Sequence, residues 1–184
     1  MKIISGKHKG KVIKGYDILG TRPTMDRVKE SLFAMIQDYV RESFVLDLFS
    51  GTGNLGIEAL SNGAKFCYFN DLNKKCTTLI SKVLEEIKEK DSSKVLNMDY
   101  KKALQYFKEN SVKFDLIFLD PPYKKNILNE VVKYIYDNGL LNENGLIVCE
   151  VDDLYLDIDY LEKIKEKKYG NKYIIIYKNI FDKL

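Results

Sequence analysis

From Phe44 onward the apolar positions come in short runs, and the runs alternate with stretches of helical spacing. "FVLDLF" (44–49), "FCYFN" (66–70), "KVLNM" (94–98), "FDLIFLD" (114–120) and "GLIVCEV" (145–151) each read as a buried strand. Between them "NLGIEALSNG", residues 74–90, residues 103–107 and residues 127–136 repeat their apolar positions at helical spacing. Strands separated by helices of this length imply right-handed βαβ crossovers and a parallel sheet covered on both faces. The tail breaks the pattern: "KIKEKKYGNKYIIIYKNIF" holds two strands around a Tyr-Gly-Asn turn, which predicts an antiparallel hairpin at the sheet's edge. The expected fold class is therefore α/β, a doubly wound, mostly parallel seven-stranded sheet with an antiparallel C-terminal hairpin.

Before Phe44 the apolar pieces are shorter. Ile3-Ile4 and Val12-Ile13, set among Gly6, Gly10, Gly15 and Gly20, predict a small β-hairpin arm over residues 1–22. "RPTMDRVKESLFAMI" (22–36) then reads as a helix capped by Thr24, with Val28, Leu32, Met35 and Ile36 on one face. No repeat, low-complexity tract or linker divides the 184 residues, so one domain over 1–184 is expected.

Composition adds three constraints. No apolar run reaches the ~18 residues that span a bilayer, and the first residues lack the apolar core of a signal peptide, so no membrane partner is expected. Cys67, Cys76 and Cys149 are odd in number and scattered. They fit neither a disulfide framework nor a zinc pattern, and a reduced cytoplasmic setting without a metal follows. Charge is uneven: residues 1–30 carry eight Lys/Arg against three Asp/Glu, the remainder 22 against 24. A basic arm on a nearly neutral body points to a polyanion, a lysine-rich solvated tail being the plainer reading.

Ligands of open α/β sheets bind beyond the carboxyl ends of the strands, so those ends carry the candidate chemistry. The first strand runs into Gly51-Thr52-Gly53-Asn54-Leu55-Gly56, a glycine loop that permits close backbone approach and aims a helix N-terminus at a ligand. The second ends at Asn70-Asp71, where an acid 20 residues after Gly51 can take both hydroxyls of a ribose or else cap the next helix. The third ends at Asp99, which can meet an adenine amino group or cap in the same way. The fourth ends in Asp120-Pro121-Pro122-Tyr123, a rigid, acidic, aromatic corner. A glycine loop with a ribose acid fits NAD or S-adenosylmethionine.

"DLFSGTG" (47–53) resembles the first motif of S-adenosylmethionine-dependent methyltransferases, and the proline corner resembles the [DNS]-P-P-[YFW] motif of enzymes that methylate exocyclic amines or glutamine amides. "RPTMDRVKESLF", "LDLFSGTGNLGIEALSNGA" and "FDLIFLDPPY" together resemble the RsmD family, bacterial methyltransferases acting at guanine N2 of small-subunit ribosomal RNA. The likeness runs from "ISGKHKGK" to "KYGNKYIIIY". Asn70-Asp71-Leu72-Asn73 departs from it, since the family more often places Val-Glu there. The resemblance implies a monomeric enzyme that binds S-adenosylmethionine and releases S-adenosylhomocysteine. Its cofactor residues would be Asp47, Ser50, Gly51, Gly53, Asp71, Leu72 and Asp99, and its catalytic residues Asp120, Pro121, Pro122 and Tyr123.

Lys7, Lys9, Lys11, Lys14 and Arg22, with Lys124 and Lys125 flanking the corner, would contact the phosphates of ribosomal RNA or of an assembling small subunit. Three other readings stand beside this one, of which a non-catalytic RNA-binding or assembly protein on the same fold is opposed by the intact Asp120-Pro121-Pro122-Tyr123. An adenine-N6 methyltransferase would use the same corner, although 184 residues leave little room for a DNA-recognition region. An NAD-dependent oxidoreductase would use the glycine loop but leaves the proline corner without a role.

Overall fold

The computed structural model describes residues 1–13, 23–121, 125–152 and 156–180. Among these residues five α-helices and seven strands follow in the order α1 (Pro23–Val40), β1 (Phe44–Asp47), α2 (Asn54–Ser61), β2 (Phe66–Asn70), α3 (Lys74–Glu86), β3 (Ser93–Leu96), α4 (Tyr100–Glu109), β4 (Phe114–Leu119), α5 (Lys125–Asp137), β5 (Leu141–Val151), β6 (Glu162–Tyr169) and β7 (Lys172–Lys178). All seven strands form one sheet in the order β3-β2-β1-β4-β5-β7-β6. β1 to β5 are mutually parallel where they pair, and β7 and β6 close the edge antiparallel.

The two faces of the sheet carry two cores. Val45, Phe69, Leu116 and Phe118 pack with Leu32, Phe33 and Ile36 of α1, Ile57 and Leu60 of α2, and Ile80 and Val83 of α3. Leu46, Ile117, Leu119 and Ile147 pack on the other face with Leu104 and Phe107 of α4 and Val131, Val132 and Ile135 of α5. Central strands buried on both faces are why their sequences read as continuous apolar runs. Gly56 sets the approach of α2 to β2: a Cβ there would lie 2.3 Å from Phe69 Cε1. Each fully buried side chain of this size contributes about 1.5–3 kcal/mol, so the central strands hold the sheet's position firmly.

Two expectations need correction. The helix expected over 74–90 ends at Glu86, because Lys88 takes a left-handed conformation (φ 62°) and Glu89 N–H returns to the Leu84 carbonyl at 2.8 Å. Thr24 lies inside the first turn of α1, which begins at Pro23. The N-terminal arm, described to Ile13, is the expected small antiparallel hairpin: Lys2 bridges Val12 around a 3₁₀ turn at Gly6–His8, with Ile3 N on the Lys11 carbonyl at 3.0 Å and Ile13 N on the Met1 carbonyl at 2.9 Å.

The arm is docked rather than free. Ile3 and Ile13 are buried in the α1–α3 core. The carboxylate of Glu58, fully buried in α2, accepts from Ser5 N at 2.8 Å and Ser5 Oγ at 2.7 Å. It also pairs with the buried ammonium of Lys29 at 2.9 Å, which reaches Asn54 Oδ1 at 2.7 Å and the Lys2 carbonyl at 2.8 Å. Two buried charges are tolerated there because both are fully hydrogen-bonded.

Candidate cofactor and active site

The carboxyl ends of β1, β2, β3, β4 and β5 meet at one edge of the sheet. Asp47, the last residue of β1, is almost fully buried, and its Oδ2 accepts from Gly56 N at 3.0 Å. Burial pushes its carboxyl up to about 7 against the opposing Gly56 hydrogen bond, and the charges of Asp120 and Asp71 add to the rise. Asp47, Asp71 and Asp120, three of the acids singled out by the sequence, thus stand at neighbouring strand ends close enough for the charges of the other two to act on Asp47.

The glycine loop is braced from both sides. Ser50 Oγ donates to the Asp47 carbonyl at 2.6 Å and accepts from Asn70 N at 3.0 Å, stapling the end of β1 to the end of β2. Asp71 accepts Gly51 N–H on Oδ2 and Asn73 N–H on Oδ1, each at 2.8 Å. The cap of α3 is Asn73, whose side chain accepts from Lys75 N, so Asp71 fastens the loop and is not a helix cap. Asp99 does cap α4, accepting from Lys101 N at 2.9 Å. Leu72 stands 71% exposed beside Asp71, an apolar side chain left in water at the rim.

The two loop glycines differ. Gly53, with φ 74°, is the first cap position of α2, and a Cβ there would lie 2.9 Å from Ile80 Cγ1 and 3.2 Å from Ile57 Cδ1. Its bareness serves packing as well as any ligand. Gly51, with φ 51°, has no heavy atom within 4 Å of a Cβ built on it, so the loop is open on that side. Beside it, Asn70 is buried with Nδ2 on the Leu48 and Met98 carbonyls, while its Oδ1 is a buried acceptor without a partner among the described residues. A bare loop backbone, two acids, an orphaned acceptor and an exposed Leu72 fit a polar, ribose-containing cofactor with an apolar base.

Asp120 follows β4 and is exposed, with Pro121 half-buried after it. The protein atoms crowded about its carboxyl push it up to about 7, and Glu150 and Asp152 at the end of β5 add to this while Lys172 opposes it. The water that still reaches Asp120 tempers the first of these causes. Lys172 itself is paired with Glu150. Pro122, Tyr123 and Lys124 lie outside the described residues, as do Lys14, Arg22 and the side chain of Lys125, the first residue of α5.

The arm's lysines fall elsewhere. Lys7 Nζ and His8 Nε2 both meet Glu89 Oε1 at 2.6 Å, His8 N donates to Ser61 Oγ at 3.0 Å, and Lys11 Nζ donates to the Glu86 carbonyl at 3.2 Å. Ser61 precedes β2 and Glu89 precedes β3, so the turn of the arm sits at the end of the sheet where the strands begin. Lys9 is exposed there. Among the described residues no group of His, Cys, Asp and Glu is arranged to hold a metal ion. No described helix is long and apolar enough to cross a membrane.

Sequence reasoning missed the fifth strand end. Glu150 and Asp152 obey the same rule that singled out the first four, and Lys172 would have followed from the antiparallel return of β7. Asn70 was passed over as a neighbour of Asp71.

Strand order, the braced glycine loop and the acids gathered at the strand ends are those of a class I, S-adenosylmethionine-dependent methyltransferase. The family described as Conserved hypothetical protein 95 matches residues 1–178. The Bacillus subtilis protein YlbH is 38% identical, over 97% of this chain and 98% of its own. The Ribosomal RNA small subunit methyltransferase D of Haemophilus influenzae is 34% identical, over 97% of this chain and 94% of its own. The solved structure of yhhF from Escherichia coli superposes with a TM-score of 0.87 at 27% identity, covering 99% of each chain. The chain belongs to this family, that of the ribosomal RNA small subunit methyltransferase D (RsmD) proteins.

Proposed function

We propose that this protein methylates the exocyclic N2 of a guanine in small-subunit ribosomal RNA. That it is an RNA methyltransferase follows from its family. The choice of an exocyclic amine rests on one observation: Asp120, with Pro121 behind it, stands at the end of β4 within electrostatic reach of Asp47 in the cofactor crevice. S-adenosylmethionine, when bound, supplies an electrophilic methyl group. Gly51, Gly53, Ser50 and Asp47 would hold its methionine end, Asp71 its ribose, and Leu72 and Asp99 its base.

The residues of the corner act on the amine. An exocyclic amine is a poor nucleophile because its lone pair is delocalised into the ring. Asp120 accepts one N–H and the Pro121 carbonyl the other, which directs the lone pair toward the methyl. Two prolines restrict the backbone, so these acceptors need little reorganisation as charge develops. The new C–N bond would form as the methyl's bond to the sulfonium sulfur breaks with its electron pair, leaving S-adenosylhomocysteine, and the amine gives up one proton. The raised proton affinity of Asp120, set by crowding and by Glu150 and Asp152, suits its carboxylate to take it. From the sequence motif, Tyr123 is the proposed stacking partner of the extruded base, a contact worth roughly 1–3 kcal/mol. Lys7, Lys9, Lys11, Lys14, Arg22, Lys124 and Lys125 are the proposed phosphate contacts from the sequence.

Mass spectrometry of ribosomal RNA nucleosides from cells lacking the gene tests the reading. Loss of an N2-methylguanosine supports it; loss of an N6-methyladenosine instead would give the corner to adenine.

A further inference from the structure

The C-terminal hairpin is the part of the fold that the reaction above leaves without a role, and it is strongly basic. Glu162–Lys178 holds six lysines against two glutamates. Every residue of β6 from Glu162 to Lys168 is exposed, on the last strand of the sheet. Lysines on an edge strand are a common guard against edge-to-edge pairing. Three observations go further than that.

The first is position. β7 runs antiparallel to β5 with Tyr173 opposite Val151, so the turn at Gly170-Asn171 lies at the same end of the sheet as Asp120. Lys172, just after that turn, is close enough for its charge to act on Asp120. The second is the company the lysines keep. Register sets Lys168 opposite Tyr173 and Tyr169 opposite Lys172. Lys168 Nζ lies 5.4 Å from the centre of the Tyr173 ring, and Lys167 Nζ 5.3 Å from that of Tyr169. Blocking an edge requires charge alone; lysines interleaved with half-buried tyrosines suit a chain of phosphates and bases.

The third observation is rigidity. Lys167 Nζ and Tyr169 Oη both reach Ser31 Oγ of α1, at 2.9 and 2.6 Å, which fixes the hairpin tip against the helix. One turn before Ser31 on α1, the exposed Arg27 extends the basic surface on the same helical face. Of the hairpin's two acids, Glu166 is paired with Lys163 at 2.8 Å, which leaves Lys165 and Lys167 on the α1 face of this edge strand and Lys168 on its opposite face as the cations flanking the edge.

We infer that the β6–β7 hairpin holds the sugar-phosphate backbone next to the target nucleotide, with Lys165, Lys167 and Lys168 meeting phosphates. The inference rests on the ribosomal RNA reading above. It assigns the RNA nearest the reaction to the C-terminal hairpin and leaves the N-terminal arm, at the far end of the sheet, to more distant parts of the substrate.

The test compares the full chain with its Lys165→Gln/Lys167→Gln/Lys168→Gln variant, using filter binding to a small-subunit ribosomal RNA transcript from about 50 to 200 mM salt. Three lost phosphate contacts should lower the slope of log affinity against log salt by about 2–3, with weaker RNA binding throughout. Calorimetric affinity for S-adenosylhomocysteine should be unchanged, and Lys168→Glu alone should weaken RNA binding in a chain that differs at one exposed site. Wild-type affinity and slope in both variants would overturn the inference. A wild-type protein with no salt-dependent RNA binding would instead remove the ribosomal RNA reading, and this one with it.

Discussion

Asp47 should make the cofactor-free protein less stable as the pH rises from acid to neutral, and removing its charge should reverse that loss. The carboxyl ordinarily titrates at 3.8, and in the fold it is pushed up to about 7, chiefly by burial. Between those values the native protein holds a proton that the unfolded chain has released. Stability therefore falls with rising pH across that window and levels off above it. The full displacement corresponds to about 4 kcal/mol at 1.4 kcal/mol per pH unit. Asp47→Asn keeps an oxygen to accept from Gly56 N and abolishes the titration. Variant and wild type should thus unfold at similar temperatures near pH 4, with the variant pulling ahead above pH 7. At about 2–4 °C per kcal/mol for a chain of this size, the gap should approach 10 °C. Thermal unfolding at several pH values measures it. Because Asp120 titrates in the same window in both proteins, only the difference between them reports on Asp47. A difference that stays constant with pH would refute the reasoning. The same variant should bind S-adenosylmethionine less well, since the charge that costs stability lies at the cofactor's methionine end.

The loop glycines should separate on mutation. Gly53→Val should destabilise the fold by collision with Ile80 and Ile57, whereas Gly51→Ala should cost only about 1–2 kcal/mol of backbone strain and weaken S-adenosylhomocysteine binding; unchanged calorimetric affinity in Gly51→Ala would remove the loop from the site. Lys29→Met should cost about 3–5 kcal/mol in denaturant unfolding by stranding the buried Glu58, and a loss below 1 kcal/mol would show that the pair does not hold the arm. Asp120 works as an anion, so kcat/KM should fall as the pH drops through about 7, and Lys172→Gln should move that break to higher pH by removing the opposing cation; an unshifted break would dissociate Lys172 from the corner.

The parallel sheet was legible because its central strands are buried on both faces: "FDLIFL" has no solvent side to blur its pattern. The glycine loop and the acids were legible because strand ends are where such folds place them. Contacts made across long distances in the chain were not. Glu58 sits in the middle of α2 and reads as a solvated charge, yet it is fully buried against Ser5 and Lys29, 53 and 29 residues away. Without those partners, the arm reads as a free basic hairpin. Ser50 carries a second role that its place in the loop does not announce: its hydroxyl joins β1 to β2. The basic hairpin is hidden in the mean charge of residues 31–184, where its lysines cancel against acids elsewhere.

The central claim, that the corner at the end of β4 performs methyl transfer, is tested most directly by single-turnover kinetics of Asp120→Ala beside calorimetry with S-adenosylhomocysteine. Loss of one preorganised polar contact at a reacting centre costs ~10²–10³ in rate. The account predicts a loss of that size at unchanged cofactor affinity and unfolding temperature. Methyl transfer at the wild-type rate in the folded Asp120→Ala protein would contradict it.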